Sequence, residues 1–127
     1  MADTPKDYKN IAVTFAHHYY TTFDSNRAAL ATLYRPHSML TYSGQEFQGG
    51  PAIAEKLVSL PFEQVVHANN DGYFEVHSQP SLNGGILVMV TGLMHVDQDP
   101  PMKYCQTFQL MPEGQIWYVF NDIFRTV

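Results

Sequence analysis

Apolar residues recur at helical spacing through Tyr8, Ile11, Ala12, Phe15, Tyr19 and Phe23, a stripe along one face of a first helix. Thr4 is placed to cap this helix, Pro5 suits its first position, and Asp7 puts negative charge in its first turn. Asp24 or Ser25 can cap a second, short helix that carries Ala29, Leu30 and Leu33 and is closed by Pro36. A third begins near Pro51, shows Ile53, Ala54 and Leu57, and ends before Pro61. Elsewhere the period is two. Residues 38–42 and 45–48 read as a hairpin about Ser43-Gly44, and a further strand lies within 73–78, after the turn-forming run Asn69-Asn70-Asp71-Gly72. Ile86–Val96 alternates over a long span, with Gly92 as a candidate bulge. Met102, Tyr104, Gln106, Phe108 and Leu110 share one face of the next strand, Pro112-Glu113-Gly114 turns the chain, and 116–124 is the last strand.

Three helices followed by a run of long strands predict an α+β fold, with the helices gathered on one side of a curved antiparallel sheet. The length of 127 residues makes 1–127 one domain with a core of its own. The other sheet face is left uncovered and is rich in aromatics and methionine, which predicts a homodimer formed sheet to sheet. A net charge of −5 is the wrong sign for a nucleic-acid binder and suits partners with basic patches. Cys105 is the single cysteine, so neither a disulfide nor a cysteine zinc site can form within the chain, and it reads as a small filler in a strand. No run has signal-peptide or membrane-spanning length, which leads us to expect a cytosolic or nuclear protein with no membrane insertion.

The stretch MHVDQDPPM, 94–102, holds the acids that invite a chemical reading. Residues two apart on a strand face one way with Cα atoms about 6.6–6.8 Å apart, too wide for Asp97 and Asp99 to share a proton unless both lean inward. The neighbours lack the further oxygens that a calcium loop supplies. What remains is a pair placed to accept a partner's lysine or arginine, or an acidic solvated loop. Among the six histidines, His17 and His18 are adjacent on a helix and diverge. His67 with Asp24 can form a pair inside a cone-shaped cavity, either as proton-transfer machinery or as a satisfied structural histidine. There is no Gly-rich phosphate loop and no nucleophile elbow. Tyr42, Leu60, Phe62, Met94, Met102, Ile123 and Phe124 can line one apolar pocket, and methionine-rich pockets adapt to an inserted ring.

The segments HHYYTTFDSNR, LATLYRPHSMLTYSGQEFQG, EKLVSLPF and YVFNDIFR, spread across nearly the whole chain, resemble the nuclear transport factor 2 family. The resemblance implies a cone-shaped α+β fold that dimerises through its sheet, and a carrier rather than an enzyme, without cofactor or metal. It implies GDP-bound Ran as cargo and Phe-x-Phe-Gly nucleoporins as partners, in the cytoplasm, the nucleus and the pores of the nuclear envelope. By position, the family's acidic pair falls on Asp97 and Asp99, where ion pairs with basic residues of Ran are implied. The family's cavity for a Ran phenylalanine falls on Tyr42, Leu60, Val65, Met94, Met102, Ile123 and Phe124. Its repeat-binding aromatic at the start of the first helix falls on Tyr8.

Three departures bear on this. The family places a glutamate in the Thr-aromatic-Glu-Gly turn where this chain reads TYSG, with Ser43. Loss of one partner of a desolvated ion pair costs roughly 2–5 kcal/mol, and Glu46 is near enough in sequence to substitute. Tyr8 stands where several relatives carry tryptophan. The run HANNDGYFEVHSQP is longer than the usual connection, so no family role is carried onto 67–77. Two other readings therefore stand beside the carrier: a peptide-binding scaffold domain of the same fold, and an isomerase or dehydratase using Asp24 and His67.

Overall fold

The computed structural model describes residues 3–67 and 74–127, so the expected turn at 69–72 lies outside the described residues. Helix α1 (Tyr8–Ser25) turns Ala12, Phe15, Ala16, Tyr19, Tyr20 and Phe23 inward and leaves His17 and His18 exposed. Its start is not capped as expected. The Thr4 hydroxyl donates to the Gly85 carbonyl at 2.7 Å, and the helix begins only after Asp7, which makes no side-chain cap. Nor do Asp24 and Ser25 cap the next helix. Ser25 donates back to the Thr21 carbonyl at 2.8 Å, and Asp24 is engaged by His67.

The second helix is a 3-10 turn, Arg27–Leu33, and it stops before Pro36 because strand β1 (Tyr34–Tyr42) has already begun. Pro36 sits where the β1 register is broken between Tyr34 and Met39, so its missing N–H leaves no ladder bond unmade. Strand β2 (Gln45–Gln48) completes the expected hairpin, with Ser43 and Gly44 both at positive φ as a tight hairpin turn requires. Gly49, at φ 88, then redirects the chain into α2 (Gly50–Val58), a turn an L side chain would resist. Strand β3 (Val65–His67) is too short to show alternation. After it come β4 (Phe74–Pro80), β5 (Ile86–Val96), β6 (Met102–Glu113) and β7 (Ile116–Thr126).

The strands make one sheet in the order β2-β1-β7-β6-β5-β3, with β4 also pairing β5. It is mixed rather than wholly antiparallel, because β1 runs parallel to β7. Gly92 makes no bulge. It pairs in unbroken register with Phe74 and Tyr104. The break falls on β7, where Gln109 pairs with Asn121 and Leu110 with Val119, leaving Phe120 as an extra residue. That insertion resets the alternation, so Val119, Asp122 and Phe124 are all buried.

The helices cover the inner face. Phe108 is fully buried, with the rings of Phe15 and Tyr19 edge-on at 5.1 and 4.9 Å. A polar chain runs through this core. Asp122 accepts hydrogen bonds from Tyr34 Oη at 2.7 Å and Gln106 Nε2 at 2.8 Å, and the Gln106 carbonyl accepts from Tyr20 Oη at 2.7 Å. Burial pushes the Asp122 carboxyl up from 3.8 to about 7, against the downward pull of the Gln106 and Tyr34 hydrogen bonds. The outer face exposes Leu87, Met89 and Ile123.

Phe108→Ala is expected to destabilise the chain by about 3–5 kcal/mol in urea unfolding, since it removes the ring on which α1 rests. A second expectation concerns pH. The folded chain binds the Asp122 proton more tightly than the unfolded chain, so this group's stabilisation is complete below pH 3.8 and is lost as pH rises to about 7. Relative to Asp122→Asn, the wild type should lose stability across that window, by up to about 4 kcal/mol on linkage. Parallel stability profiles for the two proteins would refute it.

Candidate functional site

The C-terminal ends of β1, β5 and β7 and the start of β6 meet at one end of the sheet, as the registers Tyr42↔Phe124 and Met94↔Met102 require. Here the Tyr42 ring stacks on Phe124 at 4.8 Å and 11°, and Phe124 in turn lies 5.8 Å from Tyr104. Leu60, Val65, Met94 and Phe124 are each less than a tenth exposed, while Tyr42, Phe62 and Met102 are half-buried at the rim. The four buried side chains form a floor and the three half-buried ones a rim above it. Ile123 is not part of this group. It follows the opposite parity to Phe124 on β7, is 54% exposed, and lines a shallow outer depression with Met39, Thr41 and Leu87.

The two aspartates come directly after β5, but not as a parallel pair on a strand. Strand β5 ends at Val96, and Asp97 adopts a left-handed φ of 49°. Its carboxylate accepts from the backbone N–H of Gln64 at 2.7 Å and, more weakly, from that of Glu63 at 3.5 Å. The Asp99 backbone N–H closes the turn onto the Val96 carbonyl at 2.9 Å. Both aspartates are exposed, and neither forms an ion pair among the described residues.

Across the mouth the rim is different. Glu46 pairs with Thr41, whereas Gln45 pairs with Tyr42, so Glu46 projects to the outer face and does not stand in for an acid at Ser43. The cation of Lys56 occupies the near side instead, 5.6 Å from the ring centres of both Tyr42 and Phe47 and hydrogen-bonded to Gln45 at 3.0 Å. Burial raises the Tyr42 hydroxyl pKa, and the nearby Arg27 charge offsets part of that rise.

Arg27 is not visible as a site residue in the sequence, because nothing about its spacing marks it. Its guanidinium donates to the carbonyls of Leu57 at 3.1 Å, Leu60 at 3.3 Å and Phe62 at 3.1 Å, with its carbon 5.5 Å from the centre of the Phe62 ring.

Asp24 and His67 do come together. Asp24 Oδ1 lies 2.6 Å from His67 Nδ1, and Oδ2 accepts the His67 backbone N–H at 2.9 Å. The imidazole is boxed by Tyr20, Phe23 and Tyr104 at 4.7, 5.0 and 5.3 Å. The adjoining cavity holds about 30 Å³, the size of one water molecule rather than a substrate.

Tyr8, the first residue of α1, is half-buried against the core. One residue and one turn further on, Lys9 and Val13 form one wall of a groove of about 600 Å³, closed by Val76, Leu87 and Met89 from β4 and β5. Among the described residues no group of histidine, cysteine and acid side chains is arranged to hold a metal, and no helix is long and apolar enough to cross a membrane.

The Nuclear transport factor 2 (NTF2) domain family matches residues 11–126. A protein named Nuclear transport factor 2 from Emericella nidulans is 51% identical over 124 residues, covering 95% of this chain and 96% of that protein. The solved structure of nuclear transport factor 2 from Cryptosporidium parvum superposes with a TM-score of 0.91 at 41% identity, covering 100% of this chain and 99% of the other. A putative scytalone dehydratase from Novosphingobium aromaticivorans superposes at 0.72 with 15% identity, covering 94% of this chain and 85% of that one, a likeness of fold alone.

Proposed function

The chain belongs to the nuclear transport factor 2 family, and from that membership we propose that it is a non-catalytic homodimeric carrier of GDP-bound Ran through nuclear pores. It works between cytoplasm and nucleus and passes the pore by binding Phe-x-Phe-Gly nucleoporins. The observation that supports this best is the juxtaposition, at one end of the sheet, of a rim of Tyr42, Phe62 and Met102 with the exposed Asp97–Asp99 turn. An aromatic side chain of Ran enters among Tyr42, Leu60, Val65, Met94, Met102 and Phe124, while a lysine or arginine meets Asp97 and Asp99. Only a nucleotide state that presents both groups at that spacing is taken, so selectivity is a difference in affinity between two shapes of Ran.

Asp24 and His67 are structural on this reading. Both oxygens of the carboxylate are spent on one residue, and the space beside the ring admits no substrate. Nucleoporin repeats bind at the Tyr8 end of α1, where Lys9 and Val13 border the dimer seam. Two weak copies in a dimer give net residence through multivalency while each contact remains quickly reversible. The dimer itself covers the outer face that exposes Leu87, Met89 and Ile123.

Immobilised protein is expected to retain Ran loaded with GDP and not with GTP. Asp99→Asn should weaken that binding roughly fivefold and flatten its salt dependence, and Tyr42→Ala roughly tenfold or more. Retention of neither form, alongside captured Phe-Gly peptide, would make the scaffold reading the correct one. Sedimentation at micromolar concentration should give the mass of two chains for the wild type and of one for Ile123→Glu. An Ile123→Glu protein that remains a dimer would move the interface elsewhere.

A further inference from the structure

We propose that Arg27 and Asp97 are positioning residues that clamp the 60–64 segment from opposite sides, so that the acid rim and the apolar mouth respond as one unit. This rests on the carrier reading for what binds there, but the clamp itself is a property of the free chain. The segment joins α2 to β3, and its own local backbone bonds are few: Leu60 N–H to the Leu57 carbonyl at 3.4 Å and Phe62 N–H to the Leu60 carbonyl at 2.8 Å. Further backbone groups of the segment are held by two charges of opposite sign. The Arg27 cation gathers the carbonyls of 57, 60 and 62, and the Asp97 anion takes the N–H groups of 63 and 64. The Asp97 N–H closes the contact by donating to the Gln64 carbonyl at 2.9 Å.

The chemistry of each residue suits its end of the clamp. Three converging carbonyls need the planar, multi-donor guanidinium fork, which a lysine's point charge does not reproduce. The same guanidinium lies against the rings of Phe23 and Phe62, at 5.9 and 5.5 Å, which fixes Phe62 at the rim as well as its backbone. At the other end, Asp97 holds a left-handed φ that a non-glycine residue adopts at some cost. The hydrogen bonds to 63 and 64 are what that conformation delivers. Asp97 is therefore shared: Oδ1 holds the wall through its 2.7 Å bond to Gln64, and Oδ2 makes only the long 3.5 Å contact to Glu63. A partner's cation is free to meet Oδ2 while Oδ1 keeps the wall beside Leu60 and Phe62 in place for the incoming ring.

Two substitutions at Asp97 separate the clamp from a surface charge. Asp97→Asn removes the charge but keeps an acceptor for Gln64 N–H and tolerates the left-handed backbone. Asp97→Gly removes charge and acceptor together while relieving the backbone. By amide hydrogen exchange on the full chain, Glu63 and Gln64 are expected to exchange about tenfold faster in Asp97→Gly than in Asp97→Asn, with Val88 and Phe108 unchanged. Arg27→Lys should accelerate 62–64 by a similar factor of about ten. Ran-GDP should bind Asp97→Gly more weakly than Asp97→Asn by about fivefold, although both lack the charge. Equal exchange in the two Asp97 variants, or an unchanged Arg27→Lys, overturns the clamp and leaves the carrier reading standing. Faster exchange of the variants as described, together with a wild-type chain that binds no Ran, overturns the carrier reading while upholding the clamp.

Discussion

The ring of Phe108, held without exposed surface between Phe15 and Tyr19, sets how closely α1 can approach the sheet. Much else depends on that spacing. A cone filled by aromatic rings brings tyrosine hydroxyls into a region without water, and each needs a partner there. Asp122 and Gln106 serve two of them, accepting from Tyr34 and Tyr20, while Tyr19 Oη accepts from Gln106 Nε2 at 3.4 Å and the buried Tyr104 hydroxyl has no partner among the described residues. Burial drives the pKa values of Tyr19, Tyr20 and Tyr34 far up, so all three stay neutral. The same filling leaves about 30 Å³ beside His67 among the described residues, the size of one water molecule.

Periodicity marks the long elements well. The α1 stripe and the alternation of β5 and β6 are legible because each buries one face along its whole length. The start of α2 at Pro51 is legible too, but that of α1 is not. Thr4 has the right chemistry for a cap, yet its hydroxyl is taken by Gly85, far away in sequence, and no local rule anticipates a long-range competitor. Strand β3, with three residues, has no period to detect. The parallel β1–β7 pairing and the extra residue at Phe120 depend on which strands become neighbours, information that alternation within one strand does not contain. At the site the residues are easier to find from sequence than their roles. Asp97 reads as an outward charge and is also a backbone acceptor; Glu46 is near in sequence and lies on the wrong face; Arg27 carries no sequence signal at all.

The mouth is electrically one-sided. Asp97 and Asp99 stand at one edge, while Ser43 brings no charge to the other and Lys56 covers the Tyr42 ring there. A ligand with cations on both flanks of its aromatic residue would meet attraction on one side and repulsion on the other. On the carrier reading proposed above, a segment that presents its cation asymmetrically suits this surface, and the Lys56 ammonium lies 5.6 Å from the centre of the Tyr42 ring that an incoming group would stack upon.

Strand β7 connects these surfaces through its parity. Phe124 points inward beneath Tyr42, and Ile123, one residue earlier, points outward among Met39, Thr41 and Leu87. In a regular strand, Val119 and Phe124, five positions apart, would face opposite sides. The extra residue at Phe120 cancels that difference and brings Val119, Asp122 and Phe124 to the same buried face. Deleting Phe120 would therefore leave Phe124 inward and Ile123 outward, whereas pairing the full strand without the bulge would turn Phe124 out and Ile123 in, exchanging the material of the two surfaces in a single step. The buried Asp122, fixed between Tyr34 and Gln106, opposes such a slip, because shifting it would leave its two donors unpaired in the core.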